Sequence, residues 1–165
     1  MKETLTKIIQ EEQDTQHGKF LTFALDEELY GIEICYVTEI VGVQKISVLP
    51  GAPPYIKGVI NLRGRIIPVA DMRLRFRKEV VPYTSRTCII VVEIGDCTVG
   101  LIVDEVREVT MIPDECVAPP PDMKIGYRNR FIKGIGKAGD TVQLLLDCEQ
   151  LFKEDEVRVL DQIEA

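Results

Sequence analysis

One strand plan is written twice along this 165-residue chain. Gly31, Val37 and Ile40 recur as Gly100, Val106 and Val109, an offset of 69. Lys57-Gly58-Val59 recurs as Lys133-Gly134-Ile135 at an offset of 76. The second offset carries through Ile66/Val142, Val69/Leu145, Asp71/Asp147 and Phe76/Phe152. The two offsets differ where Ala118-Pro119-Pro120-Pro121 lengthens the second copy's connection. A unit this short buries too little surface to stand alone, so the two copies are expected to pack together. They span roughly 18–78 and 86–153 and are joined around Arg77–Arg86. The expected body is a pair of barrels with one groove between the halves.

The period within each copy is that of strands. Phe20, Thr22 and Ala24 face one way and Leu21, Phe23 and Leu25 the other, both sets substantially apolar, as suits a strand inside a small barrel. Further strands are expected at Ile56–Leu62, Ile66–Ala70, Cys88–Ile94, Cys97–Val103, Val106–Ile112 and Thr141–Leu146. Val and Ile dominate these runs, with Gly, Pro or Asp between them, an all-β pattern. Short helices are expected at Asp71–Arg77 and over residues 5–9. A C-terminal helix over Glu149–Ile163 would use Asp147 as its N-cap. Arg63-Gly64 and Ala138-Gly139-Asp140 read as matching hairpin turns. Gly58 and Gly134 fall inside strands, where glycine costs stability unless a bulge or a close backbone approach requires it. Pro68 lacks an N–H, so one side of its strand is expected to lack a ladder partner there.

Composition narrows the function. The net charge of −7 sits at the ends: residues 1–17 carry −2 and residues 149–165 carry −4, leaving the middle near neutral. No run approaches the roughly 20 apolar residues of a membrane-spanning helix, and the polar first 17 residues lack a secretory core. Five cysteines without a CxxC pair read as small apolar side chains of a reducing compartment. The only histidine, His17, lies in the polar tail, which leaves no metal site, no cofactor and no ordinary triad to expect.

Two motifs point elsewhere. Gly134-Ile135-Gly136-Lys137-Ala138-Gly139 matches the glycine-rich dinucleotide fingerprint. A strand follows it where a helix is required, so it reads as a hairpin. Arg63, Arg65, Arg73, Arg75, Arg77 and Lys78 form a basic strip, and Arg128, Arg130, Lys133 and Lys137 could form a second. The alternative function is therefore a small RNA-binding β-barrel using Arg63–Lys78. The acidic tail and the lack of a clear aromatic series for base stacking weigh against it.

Several strings carry a family resemblance: Tyr30-Gly31-Ile32, Val37-Thr38-Glu39-Ile40, Ile56–Gly64, Pro68-Val69 with Asp71-Met72-Arg73, and Gly100–Val106. Together they resemble the CheW family of chemotaxis coupling proteins, from about residue 18 to 153, in its stand-alone adaptor form. Met72 in place of leucine, the small Ala70 and the Pro119–Pro121 run are departures from the family pattern. The resemblance implies an all-β fold of two five-stranded, SH3-like barrels around a shared core, with short helices. It also implies a cytoplasmic, non-catalytic scaffold at membrane-associated chemoreceptor arrays. Such a scaffold binds the regulatory domain of the chemotaxis histidine kinase and the cytoplasmic helical-hairpin tip of a chemoreceptor. Receptor contacts carry over onto Val37, Glu39, Ile40, Gly58, Asn61, Arg63 and Gly100, and no kinase-facing residues are marked. In that setting Val37 and Ile40 would floor a groove for a helix. Gly58 would let the helix approach closely, and Arg63 would reach a carboxylate or carbonyl on it. Gly58 as a strand bulge and Arg63 as a brace of its own hairpin are the structural alternatives.

Overall fold

The structure, a computed structural model, describes residues 3–6, 17–120 and 131–152. In the first copy, β1 (Lys19–Leu25) and β2 (Glu28–Glu33) form a hairpin, followed by β3 (Val37–Gly42). A second hairpin, β4 (Ile56–Leu62) and β5 (Arg65–Asp71), leads into one helical turn, α1 (Met72–Arg75). The second copy repeats the series as β6 (Cys88–Ile94), β7 (Cys97–Val103) and β8 (Glu105–Met111). It continues with a two-residue β9 (Val117–Ala118), then β10 (Ile132–Ala138), β11 (Thr141–Leu146) and α2 (Cys148–Leu151). Asp71 and Asp147 cap the two turns as expected, accepting the N–H groups of Arg73 at 2.9 Å and Glu149 at 3.1 Å. Residues 3–6 are helical; the rest of the expected 5–9 turn, and the C-terminal helix beyond Phe152, lie outside the described residues.

The sheets are not the sequence halves. One sheet runs β8-β1-β2-β11-β10-β9 and the other β3-β6-β7-β5-β4. By the repeat offsets β1 matches β6, β2 matches β7 and β3 matches β8, so both sheets have one order and the copies have exchanged their first hairpins. The chain itself forces this exchange. Only Asp104 separates β7 from β8, and only Ile34–Tyr36 separates β2 from β3. A one-residue link is too short for a hairpin, so β8 runs on into the neighbouring sheet. The β5–β7 ladder begins at Val69, just past Pro68, as the missing N–H requires.

Strands such as β1, β5, β6 and β7 feed two cores. Leu21, Phe23, Ile90, Val92, Val99 and Leu101 belong to a large cluster shared by the two sheets. The alternate residues line the hollow of each rolled sheet. The β3–β7 sheet encloses Ile60, Leu62, Ile67, Val69, Ile89, Val91 and Ile102, whereas among the described residues the other holds a smaller cluster of Phe20, Ile112 and Leu145, with Cys116 and Val117 packed against it. The repeat equivalents explain the difference: Gly136, Ala138 and Gln143 stand where the first copy has Ile60, Leu62 and Ile67. The apolar hollow is therefore the one that opens beneath the β4–β5 hairpin.

Candidate partner-binding site

The apex of β4–β5 is a two-residue turn, with Leu62 paired to Arg65. Arg63 has φ +53° and Gly64 φ +85°, the pair of positive values that a tight primed turn needs. Asn61 Oδ1 accepts the Gly64 N–H at 2.8 Å and pins this apex. Arg63 then projects outward, 69% exposed, and its Nη2 meets Glu39 Oε2 at 2.5 Å. That hydrogen bond, reinforced by the charge of Glu39, holds the guanidinium above its ordinary pKa. Glu39 lies on β3 and Arg63 beyond β4, the opposite edges of the five-stranded sheet. The ion pair thus spans the open seam of a sheet rolled into a barrel.

Beneath the pair lies a recess of about 280 Å³, with Leu62, Ile67 and Val91 toward the hollow and Thr38, Glu39, Arg63, Arg65, Glu93 and Thr98 around it. Arg65 Nη2 donates to Thr98 Oγ1 at 2.8 Å. Glu39 Oε1 is a buried acceptor with no hydrogen-bond partner among the described residues.

The remaining expected site residues are placed differently. Val37 and Ile40, 0% and 4% exposed, belong to the shared core. Both sit on β3 beside Glu39, and their burial fixes that strand. Gly58 has φ +152° at a bulge opposite Val69. A Cβ there would stand 2.1 Å from the Ser47 carbonyl oxygen, so this chain's own backbone makes a close approach at the bulge. Gly100 is likewise internal: a Cβ would meet Ile89 Cγ2 at 2.6 Å and Val69 Cγ1 at 2.9 Å. The structure therefore gathers Glu39, Asn61 and Arg63 at one surface and sets Val37, Ile40, Gly58 and Gly100 behind it.

The basic strip is not one continuous surface, which leaves the RNA-binding alternative without support. Arg75, 1% exposed, lies between the rings of Tyr55 and Phe131, 4.3 and 4.5 Å from their centroids, and donates to the Leu151 carbonyl at 2.6 Å. Arg73 is buried too, gripping Asp104 through Nε at 2.8 Å and Nη2 at 2.5 Å, with Nη2 also on Asp26. Lys78 pairs with Glu28 at 3.1 Å. Of the strip, Arg73 and Arg75 are buried and Arg63 and Lys78 pair with acids, while Arg65 and Arg77 are exposed; Arg128 and Arg130 lie outside the described residues. The glycine-rich fingerprint is the β10–β11 hairpin.

Sequence reasoning missed the clamp formed by Arg73. Asp104 is the one-residue crossover and Asp26 is the turn of the exchanged β1–β2 hairpin, so one guanidinium fastens both points where the copies interlock. Burial raises the Asp104 pKa, but Arg73, the Asp26 N–H and Lys78 outweigh it and leave the carboxyl below its ordinary value.

Two interlocked, rolled sheets with a charged rim over an apolar recess define an all-β binding module. The CheW-like domain profile matches residues 19–156. A chemotaxis protein CheW of Klebsiella aerogenes is 35% identical over 150 residues, 91% of this chain and 90% of that one. One from Bacillus subtilis is 33% identical over 147 residues, covering 89% and 83%. The crystal structure of the scaffolding protein TtCheW from Thermoanaerobacter tengcongensis superposes with a TM-score of 0.77 at 38% identity, over 84% of this chain and 94% of that one. The chain belongs to the CheW-like family.

Proposed function

We propose that this protein is a non-catalytic scaffold that couples chemoreceptors to the chemotaxis histidine kinase. What carries the reading is similarity to chemotaxis proteins over about nine-tenths of the chain. The receptor hairpin tip docks on the face of Glu39, Asn61 and Arg63, while Val37, Ile40, Gly58 and Gly100 hold that face in shape. A separate surface engages the kinase regulatory domain. With both partners held at fixed geometry, a change in receptor packing shifts the kinase between active and inactive populations. The protein works in the cytoplasm at membrane-associated receptor arrays, without a cofactor. The coupling domain covers residues 18–153, between a polar tail at 1–17 and an acidic C-terminal segment at 154–165.

The test is capture of partners from a lysate of the source cell, using the wild-type chain and the Arg63→Asp variant. Wild type should retain a histidine kinase and a coiled-coil receptor. Arg63→Asp, whose side chain is exposed, should fold normally, keep the kinase and lose the receptor. Capture of neither partner by wild type would sink the proposal.

A further inference from the structure

Among the described strands β3 is an edge, paired in its sheet with β6 alone. Alternate residues of a strand bond to one neighbour, and the residues between them aim N–H and C=O outward. Ile40 is one of the outward residues, and a single side-chain oxygen meets both of its backbone groups. Thr6 Oγ1 accepts the Ile40 N–H at 3.2 Å and donates to the Ile40 carbonyl at 3.3 Å. Thr22 Oγ1 treats Glu108 in the same way at the β1–β8 bulge, at 3.1 and 2.7 Å. A threonine hydroxyl thus serves in this chain as a substitute for a strand neighbour. Leu5, beside Thr6 in a helical turn over residues 3–6, packs against the shared core. An apolar side chain and a hydroxyl together hold the N-terminus across β3.

An uncovered edge strand is a template for pairing with another chain, and proteins blunt such edges by laying a helix or loop over them. The residues of β3 suit pairing with a copy of themselves. With two copies antiparallel about Ile40, each Ile40 exchanges both backbone bonds with the other. Glu39 then faces Val41 and Thr38 faces Gly42, so no like charges stand opposite each other. We infer that the N-terminal segment is a detachable strap guarding the β3 edge, and that with the strap off β3 pairs with the β3 of a second copy of this chain. Such a contact uses the same patch on both copies and closes as a two-fold dimer. The inference goes beyond the coupling function and does not depend on it.

The test frees the strap in the full chain with Leu5→Asp and Thr6→Val together, substitutions outside both sheets. Sedimentation velocity across a concentration series should show wild type as a monomer and the strap variant as a dimer. Gly42, two residues beyond Ile40, also aims its N–H outward, and proline is tolerated on an edge where that donor faces away from the sheet. Adding Gly42→Pro to the strap variant should therefore restore the monomer, with an unchanged circular dichroism spectrum. In this non-pairing Gly42→Pro background, freeing the strap should speed amide exchange at Ile40 at least tenfold by NMR and leave Leu101, on the central strand β7, as it was. A strap variant that stays monomeric, a dimer that survives Gly42→Pro, or an Ile40 amide indifferent to the strap overturns the inference.

Discussion

Gly58→Ala puts the account of the site's scaffolding at risk with one methyl group. The new Cβ would lie 2.1 Å from the Ser47 carbonyl oxygen and 2.8 Å from its carbon, atoms of a backbone that cannot rotate aside. The Ser47 segment must therefore leave β4. Two hydrogen bonds go with it, Ser47 N–H to Val59 O at 2.9 Å and Val59 N–H to Ser47 O at 2.8 Å. Each is worth about 1 kcal/mol net. Holding alanine at φ +152° adds about 1–3 kcal/mol of strain. The sum is about 3–5 kcal/mol, and for a chain of this length it lowers the thermal midpoint by roughly 6–20 °C. Far-UV circular dichroism melts measure it directly. Gly134→Ala at the repeat position is the internal control: its Cβ meets Val117 Cγ1, the end of a side chain, at 2.7 Å, and the Ala118 oxygen at 3.3 Å. Its drop should be less than half as large. A Gly58→Ala midpoint within about 2 °C of wild type, less than 1 kcal/mol of effect, would refute the reasoning.

Two further outcomes follow from the buried arginines. Arg75→Met removes two ring contacts and the donor to the Leu151 carbonyl, and should cost about 2–4 kcal/mol in urea denaturation. Asp104 has a depressed folded pKa, so its contribution is present above the unfolded carboxylate value near pH ~3.9 and is lost as pH falls through the folded value. Asp104→Asn should remove part of the fall in stability on the acid side and lower stability at neutral pH, as read from melts across pH.

Much of this fold is legible in the sequence because strands that bury both faces announce themselves. Cys88–Ile94, Cys97–Val103 and Thr141–Leu146 have the bounds their Val- and Ile-rich runs predict. The hairpin exchange is not a local property. It depends on which strands pair, and the expected bounds leave Asp104 and Glu105 between Val103 and Val106, a gap that a hairpin would fit equally well. The site was half legible. Arg63-Gly64 follows from turn chemistry, and its partner Glu39 was marked by family resemblance. The burial of Val37 and Ile40 was not legible, because an alternating apolar residue looks the same whether it floors a groove or fills a core. The arginine strip misled because charge reads as exposure until distant rings, here Tyr55 and Phe131, are seen to close around Arg75.

The central claim is simultaneous occupancy: one small all-β body holds two partners at once. Analytical ultracentrifugation of the chain with a receptor-tip fragment and the kinase regulatory domain tests it most directly. A single ternary species containing all three should form, and Arg63→Asp should reduce it to the chain–kinase pair. Two binary complexes that displace each other would contradict the account.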